Sequence, residues 1–350
     1  MFRIKNVLLL YVIGLVFLIT SCCVVTEKAA AKNRLPDVFE QNKRLGRGIN
    51  LGNALDAPNE GAWGVTLKEE YFKTIKEAGF DSVRIPIRWS THSLENKPYT
   101  IDKSFFDRVD WAINNAIKNN LYVIINIHHY LELMKDPAGH SERFLGLWKQ
   151  IAEHYKDYPD SVMFELLNEP ADKLSPPLWN ELLKKAMAVI RKSNPHRTVV
   201  IGPAEGNTIN LLRKLDLPEK DRNIIVTIHY YTPLEFTHQG AVWLGEKSNA
   251  WIGTKWTGTE KEKEAVTKAF DRAAAWAKEH NRPINLGEFG VYEKADMDSR
   301  AKWTGFVANS AIERGWSFDY WEFCSSFGAY DQQTNSWRKP LLNALISSEK

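Results

Sequence analysis

The sequence predicts an α/β protein built as a single (β/α)8 barrel. Three observations lead there. Eight short runs rich in Val and Ile recur along the chain. The segments between them carry apolar residues at three- and four-residue intervals, so each reads as a helix burying one face. The runs themselves are nearly continuous in apolar character, as in Val123-Ile124-Ile125 and Ile224-Ile225-Val226. Parallel strands covered on both faces read this way.

In order, the strand-like runs are Arg47–Asn53, Ser82–Trp89, Tyr122–His129, Val162–Glu169, Thr198–Glu205, Asn223–Tyr231, Ile284–Gly290 and Ser317–Phe323. Helical spacing covers Leu67–Ala78, stopped by Gly79, and Phe105–Asn119, stopped by Asn120. It returns at Glu142–Tyr155, Pro177–Ser193 and Glu262–His280, and closes with Ser299–Arg314 before Gly315. The alternative, an open doubly wound sheet holding a nucleotide, needs a glycine-rich turn after the first strand. Here Gly46 and Gly48 open that strand instead of following it.

The first residues read as a leader. Arg3 and Lys5 precede an apolar run, Val7–Ile19, that is short for a membrane span. The end of the run, Ile19-Thr20-Ser21-Cys22, resembles the lipobox of bacterial lipoproteins, in which cleavage precedes a Cys that then carries lipid. The expectation is a signal peptide over 1–21, lipidation at Cys22, a polar tether over 22–38 and the barrel over 39–350. The protein would be exported and lipid-anchored to a membrane or cell surface. The alternative is a secreted protein cut near Ala29-Ala30-Ala31. With Cys23 beside the anchor and Cys324 alone, no disulfide framework is expected, and the core must supply stability. Lys and Arg are interspersed with acids at a net charge of +3, which argues against nucleic-acid binding. The chain carries 13 Trp, enough to supply both core and stacking faces for sugar rings.

A barrel of this kind builds its site at the C-terminal ends of its strands. The fourth run stops at Asn168-Glu169-Pro170, where proline cannot continue a ladder. An acid there is costly without a job or a partner. The other ends carry Asn53 with Asp56, Arg84 to Trp89, His128-His129-Tyr130, Glu205, His229-Tyr230-Tyr231, Glu288 and Trp321-Glu322. Two carboxylates on separate strands, Glu169 and Glu288, suit a general acid and a nucleophile, the pair that glycoside cleavage requires. A metal site of His128 and His129 with Glu169 or His229 is the rival. Neighbouring strand residues point to opposite faces, so only one of the two histidines would face the axis, and no His-Glu-x-x-His spacing occurs. No metal or other cofactor is expected.

The motifs Gly79-Phe80-Asp81-Ser82-Val83-Arg84-Ile85-Pro86, Ile127-His128-His129, Leu167-Asn168-Glu169-Pro170, Ile228-His229-Tyr230-Tyr231, Leu286-Gly287-Glu288-Phe289-Gly290 and Tyr320-Trp321-Glu322-Phe323 resemble glycoside hydrolase family 5. The likeness is to its bacterial endo-β-1,4-glucanases, some of which cleave β-mannans, and runs from about Asn42 to Ile346. It implies that Glu169 is the acid/base and Glu288 the nucleophile. It further implies that Arg84 and Tyr231 hold Glu288, that His229 sets the protonation of Glu169, and that Asn168 binds the sugar 2-hydroxyl. Asn53, Asp56, His128 and His129 would bind substrate, with Trp321 as the floor beneath the cleaved sugar.

The long connection Thr232–Thr259 carries His238, Trp243, Trp251 and Trp256. Trp243 and His238 are expected to touch sugars beyond the cleaved bond, with another Trp in the core of the loop. Two positions depart from the resemblance: Asp56 where relatives often carry Glu, and Gly206 where they often carry Trp. The expected function is a retaining endo-β-1,4-glucanase acting as a monomer on polysaccharide, with no added carbohydrate-binding module. The alternatives are a β-mannanase, a xyloglucan- or mixed-linkage-glucan-cleaving enzyme, and a sugar-binding barrel without activity.

Overall fold

A computed structural model describes residues 37–346. The leader, Cys22 and all but the end of the tether lie outside them. Eight parallel strands close into a barrel in chain order: β1 Arg47–Asn50, β2 Ser82–Ile85, β3 Tyr122–Asn126, β4 Val162–Glu165, β5 Val199–Ile201, β6 Ile224–His229, β7 Ile284–Glu288 and β8 Ser317–Tyr320. Each lies within its predicted run, but all eight end earlier than predicted. The polar and aromatic residues after the apolar stretch leave the ladder and form the mouth.

The main helices are α1 Val38–Leu45, α2 Glu69–Glu77, α3 Lys103–Lys118, α4 Pro137–His154, α5 Pro176–Ile190, α6 Glu260–His280, α7 Met297–Glu313 and α8 Lys339–Ile346. Their ends follow local chemistry. Thr259 and Glu262 form a reciprocal capping box at the start of α6, and Asn281 ends that helix in the left-handed region. Asp136 and Asp296 accept from Gly139 and Ser299 to start α4 and α7. The helices α1 and α8 were not read from the sequence, nor was the small hairpin of Tyr330–Asp331 with Ser336–Trp337. Between β5 and β6 no long helix occurs, just a four-residue turn, Ala204–Asn207, kinked at Glu205 and Gly206, and a short 3-10 segment, Ile209–Lys214.

Strand alternation divides the barrel. Val123, Ile125, Val162, Phe164, Val199 and Ile201 point outward into the main core under the helices. Ile124, Met163, Val200 and Ile225 point inward and pack against Val38 and Leu45 of α1, which closes the N-terminal end of the barrel. Asn42 of α1 adds polar ties, donating to the Ile284 carbonyl at 3.0 Å and accepting from Ser317 at 2.8 Å. The rest of the interior is polar, unlike the apolar filling expected of two-sided strands. Gly48 makes room for it: a Cβ there would lie 2.0 Å from Asp319 Oδ1 and 2.5 Å from Ser82 Oγ. Asp319 is wholly buried, and burial pushes its carboxyl up to about 7. Above this layer sits Arg84.

Candidate active site

Arg84 points inward from β2 and is fully buried. A guanidinium has five N–H donors, and all five here find acceptors. Nε and Nη2 grip Glu165 at 2.6 and 2.8 Å. Nη1 donates to Glu288 Oε1 at 2.8 Å and to Asn50 Oδ1 at 2.7 Å. The remaining Nη2 bond goes to Asn168 Oδ1 at 2.8 Å. The sequence reading placed Arg84 beside Glu288 but missed Glu165. The signal was present: an acid between Phe164 and Leu166, inside an apolar run, must have a partner. Glu165 pairs in register with Asn126, which also reaches it at 3.4 Å. Because Arg84 can only donate, it holds the carbonyl end of Asn168 and leaves the amide N–H end for a ligand.

Glu288 ends β7 with its side chain 7% exposed. Its second oxygen accepts from the Tyr231 hydroxyl at 3.0 Å. Glu169 follows β4 with φ of 46°, an uncommon conformation for a residue with a side chain, and its side chain is 38% exposed. His229 lies between them, with Nδ1 2.7 Å from Glu169 Oε1 and 3.6 Å from Glu288 Oε2. The carboxylates therefore differ in setting, one facing the cleft and the other set in its floor. One oxygen of Glu169 and one of Glu288 lie within 4.8 Å of each other.

Burial raises the Glu288 carboxyl above its ordinary range, and this outweighs the pull of His229 and Arg84 in the other direction. Burial also acts to raise Glu169, but the His229 hydrogen bond and charge leave it lowered. Burial alone would lower His229; the charge of Glu288 and the bond to Glu169 raise it. These three groups share protons, and the 2.7 Å bond is the path between the imidazole and Glu169. The far nitrogen of the ring, Nε2, lies 3.1 Å from the Asn207 amide, a fully buried residue not read from the sequence. Asn207 fits because residue 202 is glycine; a Cβ there would lie 2.2 Å from the Asn207 side chain.

Trp321 follows β8, and residue 52 must be glycine beneath it, since a Cβ would lie 2.8 Å from the indole. His128 stacks parallel to that indole at 5.6 Å, and His129 meets His128 edge-on at 4.6 Å. Asp56 is buried; one oxygen accepts from the Ala54 amide at 2.9 Å and the other lies 3.9 Å from His129 Nε2. Burial pushes this carboxyl up to about 7. It lowers His128 well below the usual imidazole range and His129 to about 4, so both rings are neutral near pH 7. Asn53 takes a left-handed turn just after β1, with φ of 64°.

On the other side, the His238 ring meets Tyr231 at 4.9 Å, and Trp243, 55% exposed, packs edge-on against Tyr292 at 5.2 Å. Trp256 is buried as core of the loop.

A family model described as "Cellulase (glycosyl hydrolase family 5)" matches residues 46–326. The chain belongs to glycosyl hydrolase family 5. It is a glycoside hydrolase on the fold that the strand order displays. The crystal structure of Thermotoga maritima Cel5A in complex with mannotriose is 56% identical, with a TM-score of 0.87, covering 89% of this chain and all of that one. The same figures describe Cel5A in complex with cellobiose. Endoglucanase H of Acetivibrio thermocellus is 37% identical over 317 residues, or 89% of this chain. The chain spans 34% of the length of that relative and 39% of the length of cellulase/esterase CelE from the same organism.

Within this family 5 barrel two sequence expectations need correction. His128 and His129 do not point to opposite sides. Both follow the last residue of β3, where alternation no longer governs them, and their rings join one cluster with Asp56. Glu322 is not a group of the mouth. It is fully buried and accepts from the backbone amides of Cys324, Ser325 and Phe327, fixing the loop behind Trp321. Glu205 and Gly206 take left-handed turns, and a Cβ at Gly206 would meet open space, so the backbone leaves that side uncovered.

Proposed function

We propose that this family 5 hydrolase is a retaining endo-β-1,4-glucanase that works by double displacement. The spacing of its carboxylates carries the reading. Retaining glycosidases place the pair roughly 5–5.5 Å apart, and inverting ones leave roughly 6.5–9.5 Å for a water. Oxygens within 4.8 Å suit the first geometry.

In the first step Glu288 attacks the anomeric carbon while Glu169, taking the Nδ1 proton of the His229 imidazolium across their 2.7 Å bond, gives a proton to the departing glycosidic oxygen and leaves the imidazole neutral. The bond to the leaving sugar breaks and a glycosyl ester forms on Glu288. In the second step Glu169 takes a proton from water, which attacks the same carbon and releases Glu288. Arg84 and Tyr231 both donate to Glu288, which favours the ionised nucleophile and then stabilises it as a leaving group. The N–H end of Asn168 is free for the sugar 2-hydroxyl, a bond that strengthens in the transition state. Trp321 offers the floor for the reacting sugar.

Glucan is the first substrate because motifs and relatives point to endoglucanases. A β-1,4-mannan is the second, supported by the mannotriose complex of the 56% identical Cel5A. The test is a panel of carboxymethylcellulose, barley β-glucan, glucomannan, xyloglucan and xylan. Reducing-sugar release is expected on the first three and little on xylan. Cleavage of glucomannan alone would make the enzyme a mannanase.

A further inference from the structure

The His229 ring has two nitrogens, and the mechanism above uses the proton of one. Nδ1 lies 2.7 Å from Glu169 and passes its proton there. An imidazolium carries a second N–H, on Nε2. A neutral imidazole can keep its remaining proton on either nitrogen, and the bond made by the other nitrogen decides which. The side chain at Nε2 is Asn207, 3.1 Å away and fully buried.

The turn after β5 is shaped to put it there. Glu205, Gly206 and Asn207 follow one another in the left-handed region, with φ of 59°, 75° and 54°. Glycine enters that region freely and asparagine at modest cost, but a run of three persists only where the surroundings dictate it. Gly206 donates to the Pro170 carbonyl at 3.4 Å, next to Glu169, and Thr208 pairs in parallel with His229. The turn is thus tied to both members of the acid/base pair. Residue 287 is glycine on the Nε2 side, where a Cβ would lie 3.2 Å from that nitrogen. Asn207 Oδ1 is buried and meets no hydrogen-bond partner among the described residues. A half-turn of the amide keeps its outline and brings this oxygen to Nε2 as the acceptor.

We propose that Asn207 is a positioning residue for proton transfer: its carbonyl holds a proton on Nε2 of His229, so that the proton the ring gives up is the one aimed at Glu169. The proposal rests on the double-displacement reading above. Charged and titratable groups reach the ring from several elements: Glu169 after β4, Glu288 on β7, Arg84 on β2 and His128 after β3. Tyr231 stands two residues on and bonds Glu288, while Glu205, on the turn itself, is exposed to solvent. Asn207 is the neutral partner at the nitrogen facing away from both catalytic glutamates. An acceptor there favours the protonated ring, so losing it empties the Glu169–His229 pair of its proton at lower pH.

The experiment follows kcat/KM on barley β-glucan against pH for the full chain, Asn207→Leu and Asn207→Asp. The alkaline limb reports loss of the proton from the acid/base pair. It is expected to move down by about one pH unit in Asn207→Leu and up by about one in Asn207→Asp, whose carboxylate strengthens the imidazolium. In Asn207→Leu the acid limb should keep its place, because Glu288 lies at the other ring nitrogen. A loss of activity by one factor at every pH, with both limbs unmoved, would make Asn207 a packing residue and overturn the proposal. If the variants do not fold, nitrogen NMR of the parent labelled in histidine decides: His229 should keep Nε2–H as Nδ1 loses its proton, and loss from Nε2 first overturns it. A parent enzyme that leaves β-glucan uncut defeats the glucanase reading instead, and the NMR arm still tests the proton on Nε2.

Discussion

Glu288→Gln is expected to lower kcat on β-glucan by roughly 10⁴-fold or more, with the fold unchanged. An amide is a poor nucleophile, and neither nearby carboxylate is placed to replace it: in the proposed mechanism Glu169 transfers protons, and Glu165 is locked under Arg84. The glutamine oxygen can still accept from Arg84 or Tyr231, so folding should survive. Reducing-sugar release at equal protein concentration reads the effect, with circular dichroism as the check on folding. A variant that cuts at the parental rate would remove Glu288 from the reaction.

Arg84→Met is expected to cost roughly 3–5 kcal/mol of stability at pH 7 as well as most of the activity. The change leaves Glu165 and Glu288 buried without their cation. Burial already raises the Glu288 carboxyl, and without the opposing Arg84 charge it holds its proton to higher pH still than the value of about 4.3 in the unfolded chain. A group raised in this way has its ionised form penalised in the folded state. The deficit is therefore largest near neutrality and shrinks as pH falls through the raised range. Urea midpoints of parent and variant at pH 7 and pH 5 test this. A deficit of equal size at both values, or none, would contradict it. Arg84→Lys should not restore the parent, because a single ammonium cannot serve Glu165, Glu288, Asn50 and Asn168 together.

The barrel was legible because its two periodicities differ so clearly. Runs such as Val123-Ile124-Ile125 alternate with amphipathic segments such as Glu262–His280. Strand ends were overrun because Asn168, His128 and Tyr231 follow the apolar stretches without a break. Their side chains matter to the site only because the ladder has already ended. Arg84 and Tyr231 each donate to Glu288, and His229 meets Glu169, so the fold brings these five motif residues together at one mouth.

What stayed hidden depends on groups meeting across long stretches of chain. Glu165 reads as one more strand position until it is seen gripped by Arg84. Asn207 and Gly202 look like loop composition until the amide reaches His229. Helix α1 gave no strong signal because it is short, and half of its buried face is polar, with Gln41 and Asn42 among the residues it hides.

The central claim is that Glu288 attacks and Glu169 gives and then takes a proton, so that the anomeric centre is inverted twice. Proton NMR of the first products released from a cello-oligosaccharide reads this directly, before mutarotation mixes the anomers. The β anomer should appear first. Early appearance of the α anomer would contradict double displacement and the roles assigned to both glutamates.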